Sequence, residues 1–147
     1  MKNDNHASVT VGDCRLLTLD RHHHENGNLT VVENASADFP FEVRRVFYIY
    51  DVPGGTDRGG HSHRNCHQFI VAASGSFDIE IDDGASRRTF TLNRSNIGLY
   101  VAPGIWVSLR NFSSGSVCLT LGSDLYDEAD YVRDYDEFLK LTADKRK

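Results

Sequence analysis

Arg58-Gly-Gly-His61-Ser-His63-Arg-Asn-Cys-His67-Gln68 sets two histidines one residue apart behind a pair of glycines. On an extended segment side chains alternate between faces, so His61 and His63 point to the same side, about 6.6–6.8 Å apart along the strand. Such a pair suits either of two tasks: holding one metal ion, or placing two proton-transfer groups along a small substrate. The glycines allow a tight turn or the close approach of a ligand.

Outward from this stretch the chain reads as short strands and turns. Val43 to Asp51 is rich in β-formers (Val46, Phe47, Tyr48, Ile49, Tyr50) and is broken by Pro53-Gly-Gly55. Phe69 to Ala72 follows the histidines, and Ser74-Gly75 marks a turn. Phe77-Asp-Ile-Glu-Ile81 alternates apolar and acidic residues, the pattern of an antiparallel strand with one wet face. On that reading Asp78, Glu80 and Asp82 are simply solvated. Asp83-Gly84 signals a hairpin, and Thr89 to Leu92 returns. Ile97 to Val101, Ile105 to Leu109 and Val117 to Leu121 complete an evenly spaced series that predicts a sandwich or barrel.

Towards the N-terminus, Val9 to Leu19 and Leu29 to Glu33 read as strands joined by a polar loop, Arg21 to Asn28. Its three consecutive histidines, His22 to His24, cannot all face one ion, and a solvated loop is the expectation. The tail, from about 126 to 141, is predicted helical, with Tyr131, Tyr135, Phe138 and Leu139 on one face. Acids cluster at its start, and Lys140, Lys145, Arg146 and Lys147 lie at or beyond its end, in accord with the helix dipole. No repeat or linker divides the chain, so residues 1–147 are expected to form a single domain.

Bulk properties narrow the function. A net charge of −5 over 147 residues supplies no basic stripe for nucleic acid. No apolar run approaches the roughly 20 residues of a membrane-spanning helix. The opening Met-Lys-Asn-Asp-Asn-His lacks the apolar core of a signal peptide. Cys14, Cys66 and Cys118 are odd in number and without CxxC spacing, which fits reduced thiols in a cytoplasm.

Two segments resemble the motifs of the cupins. Gly60, His61, His63, Gln68 and Gly75 match the first, with Gln68 where that family's third metal ligand stands. Gly98, Pro103-Gly104, Val107 and Asn111 match the second, with Val107 in place of a histidine. The resemblance implies an all-β fold, a cupin-type antiparallel β-barrel (double-stranded β-helix, or jelly roll) with a short C-terminal helical segment. A neutral amide and an isopropyl group in two ligand places leave two good ligands where three or four are usual, so no metal is expected.

Within the cupins the chain resembles the WxcM-like sugar-nucleotide 3,4-ketoisomerases. Arg45-Val-Phe-Tyr48-Ile, Arg58-Gly-Gly-His61-Ser-His63, Gln68, Gly98-Leu-Tyr100-Val-Ala-Pro103, Trp106 and the tail Ser123 to Asp136 carry this likeness. It implies conversion of a dTDP-4-keto-6-deoxyhexose to its 3-keto isomer for the deoxyamino sugars of surface glycans. It also implies a homodimer with exchanged N-terminal strands. Three departures bear on the sugar and the stereochemistry: Val107 for a histidine, Glu25-Asn26-Gly27 for an Asp-x-Arg-Gly turn, and His67 for a glutamate.

That chemistry needs no cofactor. A base removes the C3 proton, an enediolate forms, and an acid delivers a proton to C4. Histidine suits both steps because its pKa, about 6.5, lies near neutrality. His61 and His63 are therefore the candidate acid and base. Tyr48 and Arg58 are candidates to stabilise the enediolate, and Gln68, Trp106, Arg45, Tyr100 and Asn111 to bind substrate. Blander alternatives stand beside these roles: Tyr48 as a core aromatic, Arg58 as a diphosphate ligand or surface ion pair, Trp106 packing at the barrel mouth. The competing functions are a non-catalytic nucleotide-sugar-binding cupin and a metal-dependent cupin enzyme.

Overall fold

The computed structural model describes residues 8–146. The strands are β1 (Arg15–Thr18), β2 (His22–His24), β3 (Gly27–Leu29), β4 (Arg45–Ile49), β5 (Arg58–His63), β6 (Gln68–Ser74), β7 (Phe77–Asp82), β8 (Arg87–Leu92), β9 (Ile97–Val101), β10 (Trp106–Arg110), β11 (Val117–Gly122) and β12 (Tyr131–Val132). A helix, α1 (Tyr135–Lys145), ends the fold, and it is neither long nor apolar enough to cross a membrane. All pairings are antiparallel, in two five-stranded sheets ordered β1-β9-β6-β11-β4 and β12-β5-β10-β7-β8, with β2-β3 a separate hairpin. From β4 onward the chain passes back and forth between the two sheets, which is the weave of a jelly roll.

Period-2 alternation divides the side chains among three cores. Between the sheets lie Ile70, Ile79, Ile81, Leu99, Val101, Val107, Leu109 and Cys118. Phe69, Val71 and Leu121 point out from the first sheet and are covered by Leu17, Leu19, Val32, Phe39, Phe41 and Val43. Trp106, on the outer face of the second sheet, packs with Val132 and Phe138 beneath α1. Asp83 and Gly84 form the predicted hairpin turn, with Gly84 at φ 92° and Asp83 Oδ1 accepting from the N–H groups of Ala85 and Ser86.

Several elements differ from the sequence reading. The expected strand at 9–19 begins instead as a 3-10 turn, Val11–Asp13, because the Asp13 carboxylate accepts from Thr10 N at 2.8 Å and curls the chain. His22 to His24 are not loop but an exposed strand, paired to Gly27–Leu29 across a tight turn. The strand expected at 29–33 ends at Leu29. The helix starts nine residues later than 126, at Tyr135, where Asp134 caps it by accepting from Glu137 N. The acids before it serve a 3-10 turn, Glu128–Asp130, capped by Asp127, and Tyr131 lies on β12 rather than on the helix. Nor is the acidic face of β7 uniformly wet. Asp82 is 3% exposed because α1 lies over it, accepting from the Tyr135 hydroxyl at 2.5 Å and from Arg87 Nε at 3.2 Å.

Candidate active site

The histidine strand is shaped by its two glycines. Val107 pairs with His61 and the next residue, Ser108, with Gly59, so β5 carries one extra residue there, a β-bulge. Gly59 and Gly60 hold φ of 101° and 86°, where L side chains are strained. A Cβ on Gly59 would lie 3.1 Å from three backbone atoms of β10. The bulge has a functional consequence. Three residues before His61, Arg58 would face away on a regular strand; opposite Leu109 it shares the inward side with the histidines.

The rings of His61 and His63 meet edge to face, 5.1 Å between centroids. Tyr131, paired with His63 across β12–β5, touches both, with its centroid 4.4 Å from His63 and 5.5 Å from His61. His63 is 3% exposed, and its Nδ1 lies 2.7 Å from Asp130 Oδ2. The other carboxylate oxygen accepts from Asn65 N at 2.6 Å. A carboxylate beside Nδ1 keeps the ring proton there, which leaves the buried, unpartnered Nε2 as the proton acceptor. Arg133 stacks on Tyr131 at 4.3 Å and is gripped by both carboxylate oxygens of Glu128, at 2.7 and 3.0 Å.

Burial, then the His63, Arg133 and Arg45 charges, push the His61 imidazole down to about 4. Burial also lowers His63, outweighing the upward pull of Asp130. Both rings are therefore neutral near neutrality, the state in which an imidazole can accept a proton or donate its remaining N–H.

Arg45 and Gln68 share this interior. Arg45 pairs with Gly122 on the inward face of β4, and Gln68 is 3% exposed on the face of β6 that carries Ile70. Strand parity turns the other candidates away. Tyr48 sits with Val46 on the outer face of β4 and is 59% exposed. Tyr100 lies on the outer face of β9, within 2.6 Å of His67 Nδ1. Trp106 is not at a barrel mouth but beneath α1, its ring 5.2 Å from Tyr135 and 5.4 Å from Phe138. Asn111, at φ 57° just after β10, donates to Asp78 Oδ2. In their place stand Asp130 and Tyr131, together with Arg133. These lie in the distinctive Tyr-Asp-Glu-Ala-Asp-Tyr-Val-Arg tail, and an aspartate one residue from a strand-forming Tyr-Val was the available signal.

Ligand atoms of His63, Cys66 and Asp130 lie within 4.8 Å of one another. Their chemistry does not fit a cation. Both Asp130 oxygens are committed, the Cys66 thiol donates to His67 O at 3.3 Å, and the Arg45 guanidinium stands 4.0 Å from the sulfur. The cluster is a hydrogen-bonded support for His63.

Residues 12–143 match the family model described as FdtA: WxcM-like, C-terminal. The chain is 41% identical over 117 residues to a TDP-4-oxo-6-deoxy-α-D-glucose-3,4-oxoisomerase of Aneurinibacillus thermoaerophilus, covering 80% of this chain and 84% of the relative. A 3,4-ketoisomerase from Helicobacter canadensis superposes with a TM-score of 0.85 at 40% identity, over 89% of this chain and 98% of that one. The sugar 3,4-ketoisomerase QdtA of Thermoanaerobacterium thermosaccharolyticum, solved with TDP, gives 0.88 at 32% identity, over 92% and 98%. Matched along nearly its whole described length in sequence and in fold, the chain belongs to the WxcM-like FdtA family.

Proposed function

We propose that this protein is a sugar-nucleotide 3,4-ketoisomerase acting on a TDP-linked 4-keto-6-deoxyhexose. The observation that carries the reading is the His61–His63 pair, inward-facing and neutral, with one ring oriented by Asp130, in a chain whose relatives are 3,4-ketoisomerases. One imidazole takes the C3 proton, and the C–H electrons form the C3=C4 bond of an enediolate with its charge on O4. The proton on O3 passes to O4, the second imidazole supplies a proton to C4 and recovers one from solvent while the first releases the C3 proton there, and the carbonyl appears at C3. C3 is oxidised and C4 reduced within one molecule, so the step balances without a cofactor. Each well-placed acid or base contributes about 10²–10⁴-fold.

The active form on this reading is a cytoplasmic homodimer. The β2-β3 hairpin is exposed throughout, and an isolated two-stranded hairpin is marginal in water. Val46 and Tyr48 on the edge strand β4, with Tyr50 just beyond its end, form an exposed apolar strip, the kind of surface a second copy covers. Exchange of N-terminal strands between copies would cover both features. Three free, buried cysteines suit a reducing compartment, where nucleotide sugars are made.

The test is turnover of TDP-4-keto-6-deoxyglucose in D₂O, followed by NMR. The expected product is the 3-keto isomer carrying deuterium at C4, with turnover reduced at least about 10²-fold in His61→Asn and in His63→Asn. Normal turnover in both variants would remove the mechanism. Binding of TDP-4-keto-6-deoxyglucose by the parent protein without isomerisation would make it a binding module instead.

A further inference from the structure

We infer that Arg45 is the cation that holds the enediolate's negative charge, an inference that rests on the ketoisomerase reading and adds a catalytic role to it. The guanidinium carbon stands 5.1 Å from the ring centroid of Phe47, 5.7 Å from Tyr126 and 5.9 Å from Tyr131. Aromatic rings fix a guanidinium in place without neutralising it. Tyr131 is also the ring that touches both histidines, so Arg45 and the two imidazoles share one wall.

Burial sets Arg45 apart from the other arginines. Arg44, Arg64, Arg87, Arg110, Arg133 and Arg146 each lie within 4.0 Å of a carboxylate oxygen. Among the described residues, no carboxylate lies within that distance of Arg45. The same holds for Arg15, Arg21, Arg58, Arg88 and Arg94, but they are exposed, whereas Arg45 is half-buried. Its Nε is buried and has no acceptor. A buried cationic donor left unsatisfied is costly unless an anion arrives to meet it. Its Nη2 faces the Cys66 sulfur, at 4.0 Å.

Which anion follows from position. The substrate carries two: the diphosphate attached at C1, and the charge that develops on oxygen at C3 and C4 during the reaction. The charged and titratable groups facing Arg45 include Cys66, Tyr126, Tyr131, His61 and His63, with Arg133 on the same Tyr131 ring, Glu128 bound to Tyr126 and Arg133, and Asp130 bound to His63. The Arg45 charge is felt at both imidazoles, lowering each. A cation that close to the proton-transfer groups stands at the C3–C4 end of the sugar, away from the diphosphate. Arg58, more exposed and farther along β5, is free to meet the diphosphate.

Arg45→Gln and Arg45→Lys test this, assayed with TDP-4-keto-6-deoxyglucose for kcat and KM across pH and with TDP alone for binding. Arg45→Gln should lose about 10²–10³-fold in kcat, the scale of one oxyanion donor, with TDP affinity within about threefold of the parent. Removing the positive charge raises both histidines, so the acid limb of kcat/KM should move to higher pH. Arg45→Lys keeps the charge and should leave that limb in place while losing kcat through its lost fork geometry. If the glutamine variant does not fold, the lysine variant decides alone: parental kcat in it together with weakened TDP binding overturns the assignment. Unchanged kcat in Arg45→Gln would do the same, as would TDP affinity falling in step with kcat/KM at constant kcat, which makes Arg45 a diphosphate ligand. A parent protein that binds the substrate without isomerising it would instead sink the ketoisomerase reading itself.

Discussion

Asp130→Asn offers the sharpest test of how His63 is held. The carboxylate is 7% exposed and meets two donors, His63 Nδ1–H at Oδ2 and Asn65 N–H at Oδ1. An amide is the same size but has only one acceptor. The Asn65 N–H, fixed by the backbone, claims that oxygen, so the amide nitrogen must face His63. There it donates to Nδ1 and forces the ring proton onto Nε2, the wrong tautomer for accepting a proton at that atom. Both contacts survive in altered form, so stability should fall by only about 1 kcal/mol, the difference between a charge-assisted and a neutral hydrogen bond. Turnover should fall by about 10²–10⁴-fold, as for loss of one acid–base group. TDP affinity by calorimetry, Tm by scanning fluorimetry and turnover by NMR separate these effects. Turnover within about threefold of the parent, with Tm preserved, would refute the proposed role of the carboxylate.

His61 is pushed from 6.5 down to about 4, so between those values the unfolded chain takes up a proton that the folded chain refuses. Stability should therefore fall as pH drops through that window, and Tm measured from pH 7 to pH 4 should fall less steeply in His61→Asn. In Gly59→Ala the added Cβ meets β10 backbone at 3.1 Å at a φ of 101°, so the bulge must shift; losses of roughly 1–3 kcal/mol in urea unfolding and about tenfold in turnover are expected. Truncating Trp106, 8% exposed under α1, should cost about 3–5 kcal/mol in the same assay. Tyr48→Asp should shift light scattering from the mass of a dimer towards the 16.5 kDa of one chain, while a monomeric parent would remove the dimer reading.

Most of the fold was legible because alternation writes itself directly into sequence. Phe77-Asp-Ile-Glu-Ile81 could only be a strand with one buried face, and Ile97 to Val101 is β9 to the residue. The candidate site was legible only in part, for the same reason run in reverse. A motif shows which residues travel together and says nothing of which face each one takes. Tyr48 and Arg45 sit in one motif three residues apart, and β4 parity sends one out and the other in. Arg58 comes out on the histidines' side only because one extra residue at Gly59-Gly60 reverses its parity, and no periodicity in the sequence marks a bulge. The tail was misread through a coincidence of spacing. Tyr131 stands four residues before Tyr135 and so mimics a helical stripe, yet it pairs with His63 as a strand. That strand carries Asp130 to the imidazole. The residue that orients His63 therefore depends on a two-residue pairing between segments 67 positions apart, a contact that neither propensity nor local pattern encodes.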